Sequence, residues 1–294
     1  MKRRCPRWMA AVLAVGLVAV LPGAAPAGAD GGLPGVRPGA VAAALPPGVP
    51  FVTLQLNLCN SGLASCYARY NQGRSVGEAA GIITAQRPDV VTLNEVCRAD
   101  VATALYPVMA RNFPGEHTFW EFLPAAERAG DGRPYRCRNG DEYGIGVLGR
   151  VRAAQGTVTT QVFSGRYPQQ DTSSNEMRVW LCVAAPGSFA ACTTHLASTS
   201  GTIALQQCRR LMEVELPALR ATIGTAVPVV VAGDLNLRYG GSPNAQSCVP
   251  PGWYRKGDGN VQHFMATIDL GFSSSTKVNT RYTDHDGWQV VVRP

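Results

Sequence analysis

Six short pieces of this 294-residue chain place chemically capable side chains at or beside the ends of apolar runs. They are Leu56-Asn57-Leu58, Leu93-Asn94-Glu95-Val96, Thr194-His195-Leu196, Gly233-Asp234-Leu235-Asn236, Ile268-Asp269-Leu270 and Thr283-Asp284-His285-Asp286. Singly, each has an ordinary explanation: Asp and Asn close turns on their own backbone, and a strand-end Glu or His is commonly a rim or packing residue. Together they supply the parts of metal-assisted phosphoester hydrolysis. Mg²⁺ takes oxygen ligands and is usually held by one or two carboxylates plus substrate phosphate, a sparse site that Glu95 and Asn57 suit. A water nucleophile needs a base and the leaving oxygen needs an acid, and His285 and His195 are the side chains that titrate near neutral pH. A carboxylate such as Asp269 would fix one imidazole's tautomer. Asn236 can donate to phosphate oxygens as charge builds on them.

These residues need strands to hold them. FVTLQLNL from Phe51, DVVTLNEV over 89–96 and VPVVVAGDLN over 227–236 are short apolar runs of the kind buried on both faces of a sheet. Further strands are expected at 117–123, 143–149, 156–163, 177–184 and 190–196, and in TIDLGF and WQVVVRP. Helices are expected at 75–86, ended by Pro88, at 99–111 despite Pro107, and at 202–223, where Pro217 should kink or split the helix. Helices mixed with many strands and hairpins, without a repeat or an internal linker, predict a single α/β sandwich domain over 51–294.

The N-terminus reads differently. Lys2, Arg3, Arg4 and Arg7 precede an apolar run over 8–22, and Ala25-Pro26-Ala27 and Ala27-Gly28-Ala29 both suit cleavage, so residues 1–29 are expected to be a secretory signal peptide. Residues 30–50 are rich in Gly, Pro and Ala and read as a flexible leader. Loss of 1–29 removes four basic residues and no acidic one, which takes the chain from +7 to 23 basic against 20 acidic, or +3. Overall charge therefore gives no argument for a polyanionic partner. Of the 9 cysteines, Cys5 leaves with the signal, and the remaining eight form an even set expected to be disulfide-bonded outside the cell. Cys182 and Cys192 flank Gly187 symmetrically in a strand–turn–strand pattern, and nearest-neighbour pairing predicts 59–66, 97–137, 182–192 and 208–248.

In order, LNL, LNEV, YGIGVLGR, EMRVW, TTHL, GDLN, TIDL and TDHD resemble the motifs of the endonuclease/exonuclease/phosphatase superfamily, the deoxyribonuclease I-like fold, over about residues 51–293. The resemblance implies a four-layer α/β sandwich with two packed, mainly antiparallel sheets and an active site at the sheet ends. It implies Mg²⁺, with Mn²⁺ or Ca²⁺ as alternatives, at Asn57 and Glu95 with Asp284 as a further ligand. It makes Asp234 and Asn236 the pair that contacts water and phosphate, His285 the catalytic histidine paired with Asp269, and His195 the acid for the leaving group. Arg178 falls where the family often has an arginine near the site, and Tyr143 is a weaker candidate. Thr283 stands where Ser commonly precedes Asp-His, and no carboxylate clearly matches the one that orients the second histidine.

The superfamily's substrates include nucleic acids, sphingomyelin, phosphoinositides and other phosphoesters, so the fold does not choose among them. RAGDGRPYRCR over 128–138 sets Arg128, Arg133, Arg136 and Arg138 around Tyr135, a loop suited to clamping phosphates or, equally, a solvated loop tied down at Cys137. The expectation is a secreted, monomeric, Mg²⁺-dependent endonuclease. The alternatives are a sphingomyelinase-like lipid phosphodiesterase or a phosphatase of the same superfamily, and, from another class, a non-catalytic binding module.

Overall fold

A computed structural model describes residues 42–152 and 158–294. The expected signal peptide, the leader as far as residue 41 and part of the strand expected at 156–163 lie outside these residues.

Two six-stranded sheets carry the fold. One contains β1 (Phe51–Asn57), β2 (Val90–Cys97), β3 (His117–Pro124), β5 (Tyr143–Val151), β13 (Gly271–Val278) and β14 (Gly287–Arg293), in the order β13-β14-β1-β2-β5-β3. The other contains β6 (Gln161–Arg166), β8 (Val179–Ala185), β9 (Phe189–Thr194), β10 (Val229–Asp234), β11 (Trp253–Gly257) and β12 (Gln262–Thr267), in the order β11-β12-β10-β9-β8-β6. A small ribbon pairs β4 (Ala126–Glu127) with β7 (Glu176–Met177). Each large sheet has one parallel pair, β1 with β2 and β9 with β10, and is otherwise antiparallel.

The apolar runs work as their patterns require. In β2, Val90 packs into the cluster between the sheets while Val91 and Leu93 pack into the cluster under the helices, so a strand buried on both faces needs apolar residues in succession. The helix α1 (Ser75–Gln86) and the stretch ending in α2 (Tyr106–Asn112) cover the first sheet. α3 (Gly201–Arg210) and α4 (Leu216–Ile223) cover the second. The result is helix, sheet, sheet, helix. Both prolines expected to disturb helices follow a π-type turn, Asp100–Leu105 before Pro107 and Leu211–Glu215 before Pro217, and each then sits in the first turn of the next α-helix, where a missing N–H costs least.

Three expectations change. The leader is docked at its end: Ala42 is buried in the inter-sheet core and donates from its N–H to Pro186 O, Leu45 packs on the same cluster, and Gly48 N–H donates to Pro294 O. Burial of those two apolar side chains overrides the flexibility its composition suggests. The strand expected from 156 is described over 161–166 as β6. The TIDLGF strand divides, with Ile268 and Asp269 in the turn between β12 and β13.

All four expected disulfides are present. Cys182 and Cys192 are cross-strand partners on β8 and β9. Cys97–Cys137 and Cys208–Cys248 each span 40 residues, and loop-closure entropy assigns such a bridge about 4 kcal/mol.

His263 on β12 anchors the loop after β10. Its Nδ1 accepts from Arg255 Nη1 at 2.8 Å and its Nε2 donates to Leu237 O at 2.7 Å. Burial pushes its pKa down to about 4, because the buried ring must stay neutral. A pKa below the unfolded value of about 6.5 contributes full stability above that pH, and the contribution is lost as pH falls towards 4. By this residue alone the protein should lose about 2 kcal/mol between pH 7 and pH 5. Urea melts of wild type and His263→Gln across that range test this; parallel pH curves for the two would refute it.

Candidate active site

β1 and β2 run parallel, and so do β9 and β10, so Asn57, Glu95, His195 and Asp234 arrive at one edge of the sandwich. Asn94 fastens the two sheets beneath them. Its Oδ1 accepts from Gln55 Nε2 at 2.7 Å and from Asp234 N–H at 2.8 Å, and its Nδ2 donates to Thr194 O at 3.2 Å. Glu95 leaves the strand at a β-bulge between Asn94 and Val96, with φ at +54°. A left-handed backbone is costly for a residue with a Cβ, and here it turns a side chain that would follow the strand out into the cleft. Asn236 is also left-handed, at φ +50°, which Asn tolerates well.

Asn57 Nδ2 bridges two carboxylates, donating to Glu95 Oε1 at 2.9 Å and to Asp234 Oδ2 at 3.1 Å. Burial pushes the Glu95 pKa up to about 7, against the hydrogen bond from Asn57, and the charges of Glu176 and Asp234 add to the rise. The Arg178 charge works the other way without offsetting the rise. Asp234 accepts the Asn236 backbone N–H at Oδ1, 2.9 Å, and Asn236 Nδ2 donates to Leu196 O at 3.0 Å.

The loop before β14 brings the second half of the site. Thr283 Oγ1 donates to Asn57 O at 2.8 Å, Thr280 Oγ1 donates to His285 O at 2.8 Å, and Gln262 Nε2 donates to Asp286 O. His285 Nε2 then lies 3.7 Å from Asp234 Oδ2 and 3.7 Å from Asp284 Oδ1. Both distances exceed a direct hydrogen bond.

Asp269 is not at the site. β12 pairs antiparallel with β10, with Gln262 opposite Asp234 and Ala266 opposite Val230, so the turn carrying Asp269 lies at the far end of the sheet. The spacing TIDL cannot show which way the strand runs. The carboxylates that face His285 are Asp234 and Asp284.

His195 lies against Arg178. Arg178 Nη1 sits 2.7 Å from its Nδ1, and a guanidinium can only donate, so Nδ1 accepts and the ring proton is on Nε2. Burial, then the Arg178 charge, holds its pKa well below the usual value. It is a neutral donor, not an acid that starts protonated. Its Nε2 is 3.9 Å from Glu95 Oε1. Arg178 also donates to Glu176 Oε1 at 2.7 Å and to Ser198 Oγ at 3.3 Å. Tyr143 stands near Glu176 at the cleft, and burial pushes its own pKa well above the usual value. Glu176 and Asn94 lie within EMRVW and LNEV, but the resemblance gives neither a role, and Ser198, which accepts from Arg178, lies outside the motifs. Glu176 leaves a signal in the sequence, because Glu176 and Arg178 alternate along one face of EMR.

These residues line a cleft of about 460 Å³, walled on one side by Ser61–Cys66 and on another by Tyr135. Glu95, Glu176, Asp234 and Asp284 outnumber Arg178 in its lining. Glu95, Asp234 and Asp284 offer carboxylate oxygens, the donor set a hard divalent cation takes, and Asn57 would add an amide oxygen only by turning its amide, whose Nδ2 now faces Glu95 and Asp234 while its Oδ1 accepts from the Cys59 N–H. The buried, uncompensated Glu95 carboxylate fits such an ion.

The sequence model of the Endonuclease/Exonuclease/phosphatase family matches residues 59–289. None of the curated proteins matches the sequence. Among solved structures, the mannosyl-6-phosphatase Bt3783 of Bacteroides thetaiotaomicron aligns with a TM-score of 0.54 at 12% identity, over 82% of this chain and 99% of its own. The human Nocturnin catalytic domain aligns with a TM-score of 0.55 at 15% identity, over 83% and 93%. ANGEL2, a 2',3'-cyclic phosphatase, aligns with a TM-score of 0.55 at 12% identity, over 83% and 95%. At these identities the likeness is one of fold.

Proposed function

We infer, from the premise that this chain belongs to the Endonuclease/Exonuclease/phosphatase family, that it is an exported, divalent-metal-dependent phosphodiesterase whose substrate is nucleic acid. The family's members are phosphoester hydrolases that generally use divalent metal ions. Mg²⁺ is the ion proposed here, with Asn57, Glu95 and Asp284 to hold it. Bound there, it would neutralise phosphate charge and polarise the phosphoryl oxygen. His285 Nε2, open to the cleft, accepts the proton of the attacking water. Asp234 stays an acceptor and orients that water, while Asn236 contacts the phosphate. Neutral His195 offers its Nε2–H to an oxygen on which charge develops, and buried Arg178 keeps that proton on Nε2.

The choice of substrate rests on one observation. The arginine-rich loop forms part of the cleft: Tyr135 lines it, packed edge-on to Tyr143 with ring centroids 5.6 Å apart, while Arg133, Arg136 and Arg138 are exposed on the same loop. Cys97–Cys137 ties that loop to the strand bearing Glu95. An aromatic face beside cationic side chains suits bases and phosphates. A lipid substrate would want an apolar rim; among the described residues Leu63 is the one exposed large apolar side chain that lines the cleft, whereas exposed Ile268 sits in the turn at the far end of the sheet and Phe272 follows it on β13. Export is supported by the N-terminal pattern and by the four disulfides.

Purified protein in Mg²⁺ should nick supercoiled plasmid, and EDTA should stop it. If folded, disulfide-intact protein leaves plasmid untouched but cleaves sphingomyelin, the nucleic-acid assignment fails and the lipid reading replaces it.

A further inference from the structure

The Cys59–Cys66 disulfide stands against the proposed metal site. Cys59 follows Asn57 by two residues, and its N–H donates to Asn57 Oδ1 at 3.1 Å. Cys66 lines the cleft. The two sulfurs and a Glu95 carboxylate oxygen all lie within 4.8 Å of one another. While the sulfurs are bonded to each other they offer no thiolate, and Glu95 faces a site of oxygen donors only.

We propose that reducing Cys59–Cys66 turns this part of the cleft into a site for a thiophilic divalent cation such as Zn²⁺, ligated by Cys59, Cys66 and Glu95. The intact disulfide then reserves Glu95 for a hard cation. The reduction uses a dithiol of the cellular or added kind. One thiolate attacks the cleft-facing Cys66 sulfur, the S–S bond breaks, and Cys59 leaves as a thiolate. The second thiol of the reductant attacks the mixed disulfide, frees Cys66 and closes as a cyclic disulfide, having supplied both electrons. Zn²⁺ then takes the two thiolates in place of their protons.

The distances suit the ion. Zn–S bonds of about 2.3 Å and Zn–O bonds of about 2.0–2.2 Å in a tetrahedron set ligand atoms about 3.5–4 Å apart. The Glu95 oxygen already lies within 4.8 Å of both sulfurs, and the sulfurs, once the bond between them is broken, have to part to that separation. Thiolates favour Zn²⁺ over Mg²⁺, whereas an all-oxygen set does not favour a thiophilic ion in this way. His195 would not complete the set, because Arg178 keeps the ring proton on the Nε2 that faces Glu95. The fourth position falls to solvent. An ion there takes Glu95 out of the hydrolytic site. That inhibition rests on the role proposed above for Glu95, but capture of the metal does not.

The test is a Co²⁺ titration of the protein before and after reduction by a phosphine, followed in the near-ultraviolet for thiolate-to-cobalt charge transfer. A band should appear only after reduction, at one Co²⁺ per chain, and Zn²⁺ should abolish it. The Cys59→Ser/Cys66→Ser variant of the chain without residues 1–29, reduced in the same way, should give no band although its other six cysteines are free. In reduced wild type, Zn²⁺ should slow alkylation of Cys59 and Cys66 at least tenfold while the other cysteines react at their metal-free rates. A band that survives in the double variant, or alkylation at Cys59 and Cys66 unaffected by Zn²⁺, overturns the proposal. Because these readouts are not activity, a protein that binds Co²⁺ as expected but never nicks DNA would overturn the nuclease reading alone.

Discussion

His285→Ala is expected to lower kcat for plasmid nicking by roughly 10²–10⁴-fold, the range a positioned general base supplies. The fold should survive the change. The ring is 18% exposed, and the carboxylates its Nε2 approaches among the described residues are those of Asp234 and Asp284, each at 3.7 Å. The backbone, not the ring, holds the loop, through Thr280 Oγ1 on His285 O and Gln262 on Asp286 O. Loss of rate should therefore come with an unchanged thermal midpoint. Turnover within threefold of wild type would remove His285 from the mechanism and move the search for a base to Asp234. Asp269→Asn serves as the contrast. Its turn lies at the other end of β12, and nicking by this variant should match wild type.

Glu95→Gln should have an effect of comparable size on a different quantity. The two side chains have nearly the same shape, and Asn57 can turn its amide to meet the new one, so packing changes little. The charge is what goes. The Mg²⁺ concentration for half-maximal rate should rise by at least about tenfold, the cost seen even for outer-shell partners of metal ligands. Without metal the same variant should be more stable than wild type. The Glu95 pKa stands at about 7, above its unfolded value. A raised carboxylate pKa means stability that is complete below about 4.5 and lost as pH rises through 7. In EDTA at pH 8, Glu95→Gln should gain up to about 3 kcal/mol over wild type. At pH 4 the two should be equal. A gain in stability with a loss of metal response marks a residue kept for function. An unchanged Mg²⁺ titration would refute the ligand role, and a variant less stable than wild type at pH 8 would show that the carboxylate serves the fold.

Much of the fold and of the site is legible in the order of residues alone. Strands buried on both faces announce themselves as unbroken apolar runs, because no position needs to be polar, and β1, β2 and β10 are of this kind. Periodicity and Pro88 place the helix at 75–86 to the residue. Nearest-neighbour disulfides follow from short loops and hairpins, which bring close cysteines together before distant ones meet. Residues at the ends of core strands, such as Asn57, Glu95 and Asp234, stand out because a polar group closing an apolar run needs a reason.

Relations across the sheets are not legible in this way. A sequence gives a strand's period but not its direction or its neighbours, so motif order sets Asp269 beside His285 when antiparallel pairing carries it to the opposite edge. Arg178 and His195 are separated by 17 residues and meet at the open end of the β8–β9 hairpin, beyond the Trp180–Thr194 pair, but the strand–turn–strand pattern alone does not show that guanidinium meets imidazole there and fixes the tautomer. The bulge at Glu95 depends on its pairing with β5, which nothing local in LNEV specifies. Which side chains can do the chemistry, and which strands carry them, is written along the chain, because residue type and period are local properties. Which atoms face one another, and which protons they hold, is settled by folding, because both follow from strand pairing and burial between residues far apart in the chain.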